Sequence, residues 1–334
     1  MKRDYILFLE ETEGLDDKST DKVLAAILKF EDSTGFKPFT KFHIEQAVHF
    51  KKALGRQKNS RTGQPLSHAT VDATLNLVRK FFIWLAGQSG YRSRLRVSDA
   101  AYFKNTRKNA RIAHTRRTIA FPSVQACKRA FEGMPGQSET DRRNRAFFAL
   151  MMLTGARIGA LATLRLKHVD LTEKHLYQDA REVETKNAKT IDTWFFPVEG
   201  DYLECLTDWV TYLREVKFFG PEDALFPKPK IGVQPGKGFA NLGLSRAPYA
   251  TTGKFNEVIR TAFANVQMPQ YTPHSFRKTL AVHGNQVCQT MEQMKAWSLN
   301  LGHDNLATTV NSYIPVSRER QRELITELGN LLPH

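Results

Sequence analysis

The chain has 334 residues, 41% of them hydrophobic, and carries a formal net charge of +15. That length accommodates two domains, and that apolar fraction excludes wholesale disorder. A run of about 18 apolar residues is nowhere present, which excludes a membrane-spanning helix, and three widely spaced cysteines, Cys127, Cys205 and Cys288, exclude a disulfide framework or a zinc cluster. The N-terminus turns acidic after one short apolar run, without the long apolar segment of a signal peptide, so a cytoplasmic protein is expected.

In chain order, the first hundred residues read as helices. "STDKVLAAILKFEDSTG" opens on a capping cluster and spaces Val23, Leu24, Ile27 and Leu28 at helical intervals. "TKFHIEQAVHFKKALG" is a second helix, stopped by Gly55. "SHATVDATLNLVRKFFIWLAG" is the strongest, with Val71, Leu75, Val78, Phe81, Phe82 and Leu85 on one face. Residues 1–97 thus form a helical bundle, and 98–118 read as a basic linker to a second domain, 119–334. Charge is uneven along this layout: residues 1–118 hold 23 Lys/Arg against 12 Asp/Glu, and 92–117 alone hold nine basic residues and one acid. Such a stretch suits a polyanion, because each neutralised phosphate releases a counterion; Arg107, Lys108 and Arg111 are its candidate DNA contacts. The rival reading is a solvated basic surface.

In the second domain, "ETDRRNRAFFALMMLTGA" predicts a buried helix and "IGALATLRLKHVDL" another that runs into a turn. "HLYQDAREVET" and "TIDTWFFPV" read as a β-hairpin around a polar "KNAK" turn. "GDYLECLTDWVTYLREV" returns to helix. Residues 220–252, rich in Pro and Gly and carrying Lys228, Lys230, Lys237 and Arg246, read as a long loop. Helices resume at "GKFNEVIRTAFANV" and continue to the end. The fold class is mainly α with a small antiparallel sheet.

Four places could carry chemistry. Arg157 follows Thr-Gly-Ala in an apolar run, where a guanidinium needs an anionic partner, either an internal carboxylate or a ligand. His274 and Arg277, spaced i to i+3 on a helix that Thr272-Pro273 begins, lie near the positive end of its dipole, which suits a phosphate. Lys186 lies in the hairpin turn, where most lysines are plain exposed charge. His303 follows a Leu-Gly turn, with Tyr313 ten residues on and Pro315 beyond it.

Each feature alone is weak; their order is not. "TGARIGAL", "TPHSFRKT" and "LGHDNLATTVNSY" resemble the motifs of the tyrosine recombinases, the phage-integrase-like enzymes, in the family's order and at nearly its separations. The resemblance covers essentially the whole chain and is strongest to bacterial integrases. It implies an N-terminal core-binding domain before an α+β catalytic domain, and a site-specific recombinase that cuts and rejoins DNA through a 3′-phosphotyrosine, for integration or excision of a mobile element. It assigns catalysis to Arg157, Lys186, His274, Arg277, His303 and Tyr313, with no metal or cofactor. Its partners are double-stranded DNA and, on paired sites, three further copies of a chain that is monomeric in free solution, with room for accessory DNA-bending proteins. It places the protein on the cytoplasmic nucleoid. A DNA-binding regulator that has lost catalysis and a type IB topoisomerase-like enzyme are the alternatives. Two departures stand out. The family's acid three positions after the first arginine is Ala160 here, and the His303–Tyr313 separation is one residue longer than the commonest spacing. One extra helical residue rotates a side chain by about 100°.

Overall fold

A computed structural model describes residues 1–60, 62–115, 120–185, 188–234, 238–303, 321–323 and 325. The chain divides into two compact units, Met1–Thr118 and Ile119–His334. Most described residues are helical, and the strands form one three-stranded and one two-stranded antiparallel sheet.

The first unit contains α1 (Lys2–Glu11), α2 (Asp17–Ser33), α3 (Ile44–Arg56), α4 (His68–Leu85) and α5 (Arg107–His114). Helix α4 follows its pattern: Ser67 accepts from Thr70 N–H at 3.1 Å as the N-cap, and all six residues of the expected face are buried. Helix α2 begins earlier than its Ser/Thr cluster suggests, because Asp16 caps it by accepting from Ser19 N–H at 2.8 Å. Its inner face is accordingly Val23, Ala26, Ile27 and Phe30, and Leu28 is exposed. Phe30 lies edge-on to Phe50, Phe82 and Phe103, with ring centroids 5.1–5.4 Å apart.

Phe103 corrects the reading of 98–118 as a linker. Residues Val97–Phe103 form a 3-10 helix whose Ala100 and Phe103 are buried in this core. Helix α5 is then tied to α4 through the buried Asp72 carboxylate, which accepts from Asn105 Nδ2 at 3.1 Å and lies 3.5 Å from His114 Nε2. Two apolar anchors among many charges fold the stretch back on the bundle.

The second unit contains α6 (Val124–Glu132), α7 (Glu139–Thr154), α8 (Ile158–Thr163), β1 (Val169–Asp170), β2 (His175–Gln178), β3 (Ile191–Trp194), α9 (Tyr202–Thr211), β4 (Pro229–Gln234), β5 (Gly238–Leu244), α10 (Gly253–Asn265), α11 (Pro273–Val287) and α12 (Met291–Asn300). Helix α7 is buried along its C-terminal half, from Ala146 to Thr154, and forms the axis of the core with α9, α10 and α11. Strands β1-β2-β3 pair in that order, Leu176 facing Thr193 across β2–β3. The expected hairpin is therefore present, but its strands are short and residues 179–190 join them in place of a tight turn. The 220–252 region is also more ordered than a loop: β4 and β5 pair antiparallel within it, with a bulge between Pro229 and Ile231. Its Gly and Pro content masks an alternation of Ile231 and Val233, both exposed. Arg246 is occupied by Asp223 and by the Phe218 carbonyl, and lies over the Phe219 ring. Lys237 lies outside the described residues.

No helix of the described residues is long and apolar enough to cross a membrane. Among the same residues no group of three or more His, Cys, Asp or Glu could hold a metal ion.

Candidate active site

The site is built where α7, α11 and α12 end or begin. Helix α7 stops at Gly155, whose φ of 59° gives the left-handed cap that glycine adopts at least cost. A Cβ there would lie 2.9 Å from both Leu280 Cδ1 and Leu301 Cδ2, so the turn also needs the missing side chain. The Thr154 hydroxyl donates back to Leu150 O at 2.6 Å and accepts from Ala156 N–H at 3.2 Å, which fixes the exit. Two residues on, Arg157 occupies the N-cap position of α8. Its side chain is half-buried, and no hydrogen bond or ion pair engages its guanidinium among the described residues.

Helix α11 starts at Pro273, whose fixed φ suits the first helical position, and Ser275 Oγ donates to Thr272 O at 2.6 Å. His274 is exposed on the first turn; Arg277, one turn later, is only 4% exposed. Arg277 Nη1 donates to Gly155 O at 2.6 Å, and Nη2 donates to Leu301 O and, at 3.0 Å, to His303 Nε2. One guanidinium thus joins the three motif segments. A guanidinium can only donate, so His303 Nε2 accepts and the ring proton sits on Nδ1 in this arrangement.

His303 is delivered by α12, which Thr290 and Gln293 start with a capping box. Trp297 Nε1 donates to Leu280 O at 3.0 Å, bringing α12 close enough to α11 that a Cβ on Gly284 would lie 2.5 Å from that indole nitrogen. Beyond α12, Gly302 turns the chain at φ 71° and His303 N–H donates to Ser298 O at 3.2 Å. Asn300 pins this end to β3, accepting from Trp194 N–H and donating to Trp194 O, each at 2.8 Å.

Of the residues singled out from the sequence, Arg277 and His303 are in direct contact. Arg157 is two residues from the Gly155 carbonyl that Arg277 grips, and His274 is one turn from Arg277. Lys186 and Tyr313 lie outside the described residues, as does the segment between His303 and Tyr313. Arg107, Lys108 and Arg111 are all exposed on α5. Ala160 is 1% exposed in the core of the unit, an apolar setting in which an unpaired carboxylate would be costly. A carboxylate does reach α8 from elsewhere: Glu184 Oε2 lies 3.9 Å from where a Cβ on Gly159 would be, and Glu184 N–H donates to Thr163 Oγ1 at 3.0 Å.

The sequence did not single out three further residues. Arg143 is fully buried and donates to Pro227 O at 3.0 Å and to the Tyr249 hydroxyl at 2.8 Å. Thr185 Oγ1, beside Lys186 in sequence, is buried with no hydrogen-bond partner among the described residues. His168, 3% exposed, contacts Glu182 of the β2–β3 connection at 3.1 Å. Each depends on contacts across the fold that spacing alone does not reveal.

A model of the Phage integrase family matches residues 124–320. Tyrosine recombinase XerC of Halalkalibacterium halodurans is 21% identical over 266 residues, which span 78% of this chain and 76% of that protein. Among solved structures, a lambda integrase dimer bound to a COC′ core site matches with a TM-score of 0.63 at 12% identity over 95% of each chain. The Tn1549 transposon integrase in complex with transposon right end DNA matches with a TM-score of 0.62 at 15% identity, over 98% of this chain and 99% of its own. These two share its fold. With its motifs in order and the family match covering more than half its length, the chain belongs to the phage integrase family, the tyrosine recombinases, which are site-specific DNA recombinases.

Proposed function

We propose that this recombinase integrates or excises a mobile element, using Tyr313 as the nucleophile and Arg157, Lys186, His274, Arg277 and His303 around the scissile phosphate. The observation that carries this reading is the Arg277 junction: one buried cation holds the Gly155 turn, the Leu301 turn and His303 together, beside a half-buried Arg157 that no ion pair neutralises among the described residues. A cationic pocket assembled before substrate arrives suits a phosphodiester, whose nonbridging oxygens gain charge as phosphorus becomes five-coordinate. Arginine's forked donors match those oxygens.

In this mechanism the Tyr313 hydroxyl attacks phosphorus, forming the Oη–P bond as the P–O5′ bond breaks. His274 takes the phenolic proton, because a phenol of ordinary pKa about 10 is a weak nucleophile without a base. Lys186 gives a proton to the departing 5′ oxygen. His303 donates to the phosphate. The covalent link conserves the ester, so a 5′-hydroxyl from a second duplex reseals the strand without ATP.

DNA as partner is supported by the net charge, by the exposed basic residues of α5, and by the DNA complexes of the lambda and Tn1549 integrases. The same reading has the protein act on the cytoplasmic nucleoid, as a monomer in free solution and a tetramer on paired sites. Residues 1–118 serve as the core-binding domain and 119–334 as the catalytic domain. Ala160 favours one rival, a DNA-binding regulator without catalysis. Incubation with nicked suicide DNA separates the two: the recombinase gives a covalent adduct at a defined sequence, and a regulator gives none. An adduct spread over all sequences would indicate a topoisomerase.

A further inference from the structure

Between Arg157 and Lys186 the chain passes through α8, a 3-10 turn at Leu166–His168, and the β2–β3 connection. His168 is 3% exposed, yet both ring nitrogens are engaged. Arg165 N–H donates to Nδ1 at 2.9 Å, so the ring proton sits on Nε2, which donates to Glu182 Oε2 at 3.1 Å. Glu182 Oε2 also accepts from Lys167 Nζ at 2.6 Å, and Lys167 pairs in turn with Glu222 at 2.9 Å. An imidazole that served only to fill the core would be replaced there by an apolar side chain at less cost. Its two bonds instead join the turn that follows α8 to the connection that leads to Lys186.

That connection is fastened at every step before the lysine. Asp179 and Arg181 clamp each other, and Glu182 and Val183 N–H donate to Asp179 O at 3.0 and 2.8 Å. Val183 is 3% exposed, and Glu184 N–H donates to Thr163 Oγ1 of α8 at 3.0 Å. Only Thr185 separates the last of these anchors from Lys186, and each residue spans about 3.8 Å between Cα atoms. The chain leading to the lysine is therefore held at Glu182 and Glu184 against the turn behind α8 and α8 itself.

We propose that His168, acting through Glu182, is a positioning residue for Lys186: it couples the segment bearing Arg157 to the loop bearing the proton donor, so that both address one phosphate. This rests on the reading of Lys186 as the acid that protonates the leaving 5′ oxygen. A residue that acts only through that acid becomes dispensable when the leaving group needs no proton.

The test is single-turnover cleavage of suicide DNA by the full chain, with an ordinary phosphodiester and with a 5′-bridging phosphorothiolate. The variants are Lys186→Ala, His168→Asn and Glu182→Ala, with Lys189→Ala, at the other lysine of the "KNAK" turn, alongside them. Asn keeps an acceptor for Arg165 N–H while severing the link to Glu182, and Glu182 is partly exposed, so its truncation leaves the core intact if His168→Asn fails to fold. On the phosphodiester, Lys186→Ala should lose about 100-fold or more, the range of a general acid. His168→Asn and Glu182→Ala should each lose about 10- to 100-fold, the cost of misplacing a reacting group by about 1 Å. On the phosphorothiolate all three should return close to the rate of the unsubstituted protein. If Lys186→Ala is rescued while His168→Asn and Glu182→Ala stay slow, the pair acts on folding or another group, and the positioning role is overturned while the lysine's stands. Unchanged rates for both pair variants on the phosphodiester overturn it too. If Lys189→Ala is rescued and Lys186→Ala is not, the acid is the other lysine and both readings fall.

Discussion

At the scale of single residues, the two arginines differ in what they hold. Arg157 has no protein partner to lose among the described residues, whereas Arg277 satisfies two buried carbonyls and fixes His303. Both alanine variants should lose cleavage by about 100-fold or more, each removing a charge matched to the transition state. They should separate in urea unfolding. Arg157→Ala should unfold like the parent, whereas Arg277→Ala should lose about 2 kcal/mol or more, because buried carbonyls lose a charged donor. Equal unfolding midpoints for the two would mean that the Arg277 contacts contribute nothing to the fold. The residue types, order and spacing of these groups were legible in the sequence. The bonds were not: that Gly155 O, Leu301 O and His303 Nε2 converge on one guanidinium depends on how α7, α11 and α12 pack.

At the scale of elements, α5 presents Arg107, Lys108 and Arg111 to solvent while Asp72 and Asn105 secure it to α4. Neutralising the three together should flatten the dependence of log DNA affinity on log salt by up to about three units. An unchanged slope would place α5 away from the DNA. The loop link predicts a pH effect. Burial holds His168 below its ordinary 6.5, with Glu182 pulling the other way and Lys167 and Arg165 adding to the depression. Hydrogen bonds from Lys167 and His168 hold Glu182 below its ordinary 4.5. Both folded values are depressed, so each contribution to stability is present above the unfolded value and lost as pH falls through the folded one. Of the two, the unfolded imidazole takes up its proton first on acidification. Unfolding midpoints should therefore drop below about pH 6.5, and His168→Asn should remove that component; an identical acid profile in the variant contradicts the assignment. Elements with a clean apolar period were readable, as α4 shows. The 3-10 helix at Val97–Phe103 was hidden because nine basic residues dominate the stretch 92–117, and β4–β5 because Gly and Pro interrupt a short alternation.

At the scale of the whole molecule, the tetramer proposed above brings four active sites to two duplexes, and we propose the C-terminal segment as the coupling between copies. Leu324, Ile325, Leu328, Leu331 and Leu332 share one face in the sequence pattern; all but Ile325 lie outside the described residues, and Ile325 is 65% exposed. Deleting residues 318–334 should leave binding to a single site nearly intact while abolishing synapsis and recombination in gel-shift and strand-exchange assays. Loss of single-site binding or unfolding would place the segment in its own domain. Tyr313 is proposed to become covalently joined to DNA inside a pocket organised by Arg277. Proteolysis of the adduct trapped on suicide DNA, followed by mass spectrometry of the nucleotide-bearing peptide, addresses it directly. A 3′-phosphotyrosine at Tyr313, and none from Tyr313→Phe, is expected; a nucleotide on another tyrosine, or an adduct that survives Tyr313→Phe, overturns the assignment.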